Sequence, residues 1–251
     1  MDMVLSDLLA AVSARAAAAR PVEVCIGVHW TLVTVELEGR VLGGLASTLS
    51  AGSHEHAGGP DVRDAGRLLS RSVTDLAALV GSDRVLEVGV GMATINALLE
   101  VDEGACEEVN AADLIAERGA GRTVAVVGHF PFVPDLRTVA GTLHVLELNP
   151  RDGDLPARAA PDVLPRCDVV AITGTSLLNG TFGSLMALCR PDAYVLLLGA
   201  TTPLSPILFR AGVAALSGTQ VADPDVVRAA VLQGATFRQI PGKRLLTMLR
   251  P

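Results

Sequence analysis

Five short apolar runs in the second half of the chain constrain the fold most. Residues 123–128, 143–148, 169–173, 194–199 and the shorter 214–216 read as strands, and the stretches between them are long enough to carry helices. The run Val169 to Ile172 is short and β-branched, as expected of a strand covered on both faces. Strand, loop, helix, strand in repetition indicates a parallel α/β sheet. Ligands in such sheets bind outside the carboxyl ends of the strands, so the residues just past each run are the candidate site.

The run Val169 to Ile172 enters Thr173-Gly174-Thr175-Ser176, followed by Asn179 and Thr181. Three hydroxyls flank a glycine that lets backbone N–H groups approach a ligand. Ser176 or Thr175 is expected to cap a helix through Leu185 to Leu188, whose free N–H groups and positive dipole end favour carboxylate, phosphate or sulfate. The plainer alternative is an ordinary cap on an ordinary strand-to-helix turn. Gly128-His129-Phe130-Pro131-Phe132-Val133-Pro134 closes the first run. Its stiff, apolar loop offers His129 as acid, base or ligand, or as a residue that only holds the loop. Glu147 and Asn149, before Pro150, end the next run on the same edge.

The first half has a different texture. Residues 3–20 carry apolar positions at helical spacing. Val22, Val24, Ile26, Val28 and Trp30 alternate, Leu32 to Leu37 continues the extended pattern to a turn at Glu38-Gly39, and Val41 to Thr48 returns as a hairpin. Residues 50–62 read as a Gly, Ser, His and Pro rich loop, 63–80 as a helix, and 92–99 as another. The acidic stretch 100–108 marks a boundary near 105–120. Val85-Leu-Glu-Val-Gly-Val-Gly-Met92 resembles a methyltransferase glycine motif for S-adenosylmethionine, but the third glycine is missing and no acidic strand end follows at the right distance. Glu87 and Asn96 bracket this small-residue segment. His54 and His56 around Glu55 could ligate a metal, although a glycine-rich loop preorganises little and reads rather as a solvated surface.

Composition excludes several classes. A net charge of -7 and no basic stripe argue against nucleic acid. No apolar stretch reaches the roughly 18–20 residues of a bilayer span, and residues 1–20 lack a signal peptide's basic start and apolar centre. We expect a cytoplasmic protein without membrane insertion. Four scattered cysteines suggest neither a zinc site nor a disulfide framework. The apolar composition leaves room for a homo-oligomer or a partner subunit.

Gly91-Met-Ala-Thr-Ile-Asn-Ala-Leu98, Gly128-His-Phe-Pro-Phe132, Glu147-x-Asn-Pro150, Ile172-Thr-Gly-Thr-Ser176 with Asn179 and Thr181, and Gly199-Ala-Thr-Thr-Pro-Leu-Ser-Pro206 together resemble one family, described as putative heavy-metal chelation. The resemblance implies an α+β domain similar to the enolase N-terminal domain over residues 1–110, a Rossmann-like domain over 111–251, and a cleft between them. It makes the Gly91 to Asn96 segment helical, and it gathers Asn96, His129, Glu147, Asn149 and the Thr173 to Asn179 turn into one site. Few residues suit a bare metal ion, and hydroxyls, amides and backbone donors suit a small anionic metabolite better. Thr173, Gly174, Thr175, Ser176, Asn96, Asn149 and Asn179 would bind it, while Glu87, Glu147 or His129 moves a proton. One concrete chemistry is elimination, or ring closure in which an amine displaces sulfate or phosphate, and it needs no redox cofactor. The alternative is a binding protein for a metal ion or metal chelate.

Overall fold

The computed structural model describes residues 3–49 and 60–251. In the first part of the chain, helix α1 (Met3–Ala18) buries Val4, Leu5, Leu8, Val12 and Ala16 on one stripe. Strands β1 (Arg20–Ile26), β2 (Trp30–Leu37) and β3 (Arg40–Ser47) form an antiparallel sheet in the order β1-β2-β3. The hairpin turns at Glu38 and Gly39, both with positive φ (53° and 75°), which matches the right-handed twist of the flanking strands. The alternating run from Val22 to Leu37 is not continuous. It breaks at residues 27–29, where the Gly27 N–H donates to the Trp30 carbonyl at 2.9 Å, and a methyl group at Gly27 would come within 2.7 Å of the Val231 carbonyl oxygen.

The expected single helix over residues 63–80 is α2 (Val73–Ala78) between the 3-10 turns Leu68–Ser70 and Leu79–Gly81. Ser72 explains the late start, because it forms a reciprocal capping box with Asp75. Helix α3 (Val85–Leu98) begins seven residues ahead of the helix expected at 92–99. The glycines of its N-terminal half therefore lie in a helix and not in a loop, which removes the strand-turn-helix geometry a methyltransferase motif requires. Two glycines instead allow backbones to meet. A methyl group at Gly91 would lie 2.0 Å from the Val80 nitrogen, and one at Gly44 on β3 would lie 2.1 Å from the Ala93 carbonyl oxygen of α3.

The second part is built on one sheet. Its elements are β4 (Cys106–Glu107), α4 (Ala111–Gly119), β5 (Thr123–Val127), α5 (Val133–Val139), β6 (Thr142–Glu147), β7 (Leu155–Pro156), α6 (Ala160–Val163), β8 (Val169–Thr173), α7 (Thr175–Leu178), α8 (Phe182–Leu188), β9 (Tyr194–Leu198) and β10 (Ala215–Val221). Helix α9 (Pro224–Leu232) and strand β11 (Lys243–Leu249) complete the chain. Strand order is β4-β11-β10-β9-β8-β5-β6-β7, and the pairs from β10 through β7 are parallel. Val124, Val126, Val169, Ala171, Leu196 and Leu198 pack with Leu114, Ile115 and Leu136 in the sheet's core.

The chain forms two compact units, one of residues 1–101 with 219–244 and the other of 102–218 with 245–251. The 26 residues from Thr219 to Arg244 thus belong with the first unit. Among the described residues no helix is long and apolar enough to cross a membrane.

Close packing at Gly44 and Gly91 has a measurable consequence. Gly91→Ala and Gly44→Ala should each destabilise the protein by about 2–3 kcal/mol or more in chemical denaturation, the cost of overpacking against backbone. At Gly89, on the same helix as Gly91, the nearest atoms to an added methyl group lie at 3.5 and 3.8 Å. Gly89→Ala should therefore be neutral or stabilising by about 0.5–1 kcal/mol.

Candidate functional site at the carboxyl ends of the parallel strands

The chain lays β6 and β7 on one side of β5 and then returns to lay β8, β9 and β10 on the other. Strand order reverses between β5 and β8, the point at which open α/β sheets bind ligands in a crevice at the carboxyl ends of the strands. Gly128 and Gly174 lie at these two strand ends. Gly128 has φ +102°, its N–H donates to Leu146 at 2.9 Å, and a methyl group there would lie 3.1 Å from Thr173 Cβ. Gly174 donates to the Leu198 carbonyl at 2.7 Å. A methyl group on Gly174 would lie 2.6 Å from Thr202 Oγ1. The ends of β5, β8 and β9 therefore touch one another through small residues.

His129 sits on this edge, held at two points. Its backbone N–H donates to Glu147 Oε1 at 2.7 Å, and Leu148 N–H donates to Oε2 at 2.9 Å. Both carboxylate oxygens of Glu147 thus clamp main chain, tying the end of β6 to the turn after β5. The imidazole Nδ1 lies 2.9 Å from Asp154 Oδ2, which also accepts the Arg151 N–H at 3.1 Å. The Asp154 side chain is fully buried and that of His129 is 22% exposed. Burial pushes the Asp154 carboxyl up, but the Arg151 N–H and His129 outweigh it and hold the group below its ordinary value. Asp154 carries no signal of this contact in the sequence, because it lies in a polar loop 25 residues from its partner. Asn149 is exposed.

The hydroxyl turn differs from its expected form. Helix α7 has four residues, Gly174 stands at its N-cap without a side-chain cap, and Leu185 to Leu188 belong to α8, which starts after Thr181. Neither Thr175 nor Ser176 caps that helix, and a single turn sums too few peptide dipoles to attract an anion. The hydroxyls themselves remain. Thr173 Oγ1 and Thr175 Oγ1 share a hydrogen bond of 3.0 Å, and Thr175 N–H donates to Thr173 Oγ1 at 3.3 Å. Ser176 and Thr202 are buried, and their hydroxyl oxygens have no hydrogen-bond partner among the described residues. Asn179 Oδ1 accepts from the N–H and the hydroxyl of Thr181 at 3.2 and 2.7 Å, closing the turn.

Glu87 and Asn96 belong to the first compact unit. Glu87 is fully buried. It accepts from Arg63 N–H at 2.6 Å, from Arg63 Nη2 at 2.6 Å and from Ser82 Oγ at 2.6 Å. Burial pushes its carboxyl up, yet these bonds prevail and hold it at about 2. An ionised carboxylate so fully engaged is a poor proton carrier and a good lock between residue 63 and α3. Asn96 Nδ2 donates to the Leu45 carbonyl at 2.9 Å, joining α3 to β3.

Metal donors are sparse. Among the described residues no group of three or more His, Cys, Asp or Glu side chains is placed to hold an ion. Burial pushes the thiols of Cys25, Cys167 and Cys189 up to about 11, so they are protonated at neutral pH. His54, Glu55 and His56 lie outside the described residues.

The fold and its strand-end edge define a two-unit α/β protein with a Rossmann-like sheet. Family models described as putative heavy-metal chelation match residues 10–99 and 110–250, and the chain belongs to that family. A family protein of unknown function from Desulfitobacterium hafniense has a crystal structure that superposes with a TM-score of 0.80 at 25% identity, covering 98% of each chain. Another, from Pyrococcus horikoshii, gives 0.85 at 19% identity over 99% of this chain and 100% of that one, a likeness of fold. An uncharacterized protein of Methanocaldococcus jannaschii is 26% identical over 203 residues, 78% of this chain and 76% of the relative.

The Glu87 lock predicts an acid dependence. The folded carboxyl lies near 2, below the usual carboxylate value near 4.3. Its stabilisation is therefore present above about pH 4.3 and is lost as pH falls through about 2. Glu87→Gln should lower stability at neutral pH by about 1–3 kcal/mol and flatten its decline between about pH 4.3 and 2, as read from urea unfolding across that range.

Proposed function

We propose that the crevice between β5 and β8 binds a small anionic metabolite and that His129 moves a proton on it. The reversal of strand order, which brings the Gly128-His129 turn against Thr173, carries this reading. Thr173 and Thr175 keep one hydroxyl proton beyond their mutual bond, and the buried Ser176 hydroxyl has no partner among the described residues, so the turn offers neutral donors to an anionic group. Of the expected catalytic set, Glu147 is engaged by main-chain N–H groups and Glu87 by Arg63 and Ser82, whereas the His129 side chain is partly open.

A chemistry that uses these parts is non-redox ring closure. The amine nitrogen forms a bond to the carbon bearing sulfate or phosphate, the C–O bond breaks, the oxyanion leaves toward the hydroxyl turn, and the nitrogen's proton passes to His129. Simple elimination would use the same two features. The family description supports a second reading, and one observation favours it: a carboxylate behind an imidazole also orients histidine toward a metal. That reading lacks further donors among the described residues.

Two measurements separate them. Incubation with an amino-alkyl sulfate should release free sulfate and the cyclised amine, and His129→Gln should abolish both. Thr175→Ala should weaken binding of the sulfate ester by about tenfold, the value of one hydrogen bond to a charged group. Unchanged affinity in Thr175→Ala, together with stoichiometric metal that survives dialysis and is lost in His129→Gln, would replace the metabolite with a metal.

A further inference from the structure

The loop after β6 is shaped to deliver one carboxylate. Asp154 N–H donates to the Arg151 carbonyl at 2.9 Å, Arg137 Nη2 donates to the Gly153 carbonyl at 3.3 Å, and Gly153 adopts φ +85°, a conformation costly for any other residue. These bonds fold residues 151–154 back so that Asp154 enters the protein fully buried, with its Oδ2 on the His129 ring. His129 is meanwhile pinned at its backbone by Glu147. Glu147 at the end of β6 and Asp154 in the loop that follows thus fix one histidine, the first through its main chain and the second through its ring.

An ionised carboxylate only accepts hydrogen bonds. Across 2.9 Å from Asp154 Oδ2, Nδ1 of a neutral imidazole must therefore be the protonated nitrogen. Nε2 makes no hydrogen bond among the described residues and is left with its lone pair. We propose that Asp154 is a positioning residue that holds neutral His129 in the Nδ1–H tautomer, so that Nε2 is the nitrogen presented to the ligand. What Nε2 meets rests on the proposed function, whereas the tautomer does not.

The Arg151 N–H makes the proposal discriminating. Asp154 Oδ2 accepts from both Arg151 N–H and the ring, so in Asp154→Asn the amide must keep its oxygen at that place to avoid facing one donor with another. The asparagine variant should therefore preserve the Nδ1–H tautomer although the charge is gone, while Asp154→Ala should lose it. The tautomer is read from ¹⁵N chemical shifts of the two ring nitrogens with the imidazole neutral, His129→Asn identifying the resonances.

Wild type and Asp154→Asn are expected to show a protonated Nδ1 and an unprotonated Nε2, and Asp154→Ala a proton shifted to Nε2. A wild-type ring protonated at Nε2 overturns the proposal, as does an unchanged Nδ1–H signal in Asp154→Ala. Should Asp154→Ala fail to fold, a protonated Nδ1 in both wild type and Asp154→Asn supports the assignment, and its absence from either one refutes it. Adding an amino-alkyl sulfate tests the ligand separately: an unmoved Nε2 resonance would count against the proposed function and leave the tautomer standing.

Discussion

The reversal of strand order at β5 is the constraint on which the second unit depends. The chain first winds outward through β6 and β7 and must then recross to place β8 on the opposite side of β5. That recrossing sets the turns after β5 and β8 side by side, where small residues let them pack. Gly128 at φ +102° is pressed against Thr173, and Gly174 lies under Thr202. A larger residue at either place would push the turns apart. The same glycines that let the sheet close therefore bring His129 and the hydroxyl turn together.

Acidic residues play unequal parts around this frame. Glu147 spends both oxygens on main-chain N–H groups, and Glu87 is locked by Arg63 and Ser82. Each looks catalytic in a sequence because it sits beside a strand end or a glycine-rich segment. The partners that claim them include residues 18 and 24 positions away, as well as Ser82 and the Leu148 backbone close by in sequence. Asp154, by contrast with these two, has its charge directed at a titratable ring.

Much of the fold was legible because it is written in local periodicity. Val169–Thr173 emerges as a strand with the expected bounds, and the Glu38-Gly39 hairpin turn lies where its residues require it. Elements decided by distant packing were not legible. Gly89 and Gly91 suggest a loop by composition, but they lie in α3, where Gly91 is needed for the approach to Val80, as Gly44 on β3 is for the approach to Ala93. Strand β11, Lys243–Leu249, has no clean alternation and is strand because a neighbouring edge accepts it. The candidate site followed the same division. His129 and Thr173 to Ser176 could be found from their place after apolar runs. Asp154 could not, since loop geometry alone brings it in.

The central claim is that ligand binds where strand order reverses. Amide chemical-shift mapping with an amino-alkyl sulfate tests it most directly. The account predicts the largest shifts at Gly128, His129, Gly174 and Thr175. Shifts grouped instead at the opposite ends of the strands, near Thr123, Thr142 and Val169, or no shifts at saturating ligand, would contradict it.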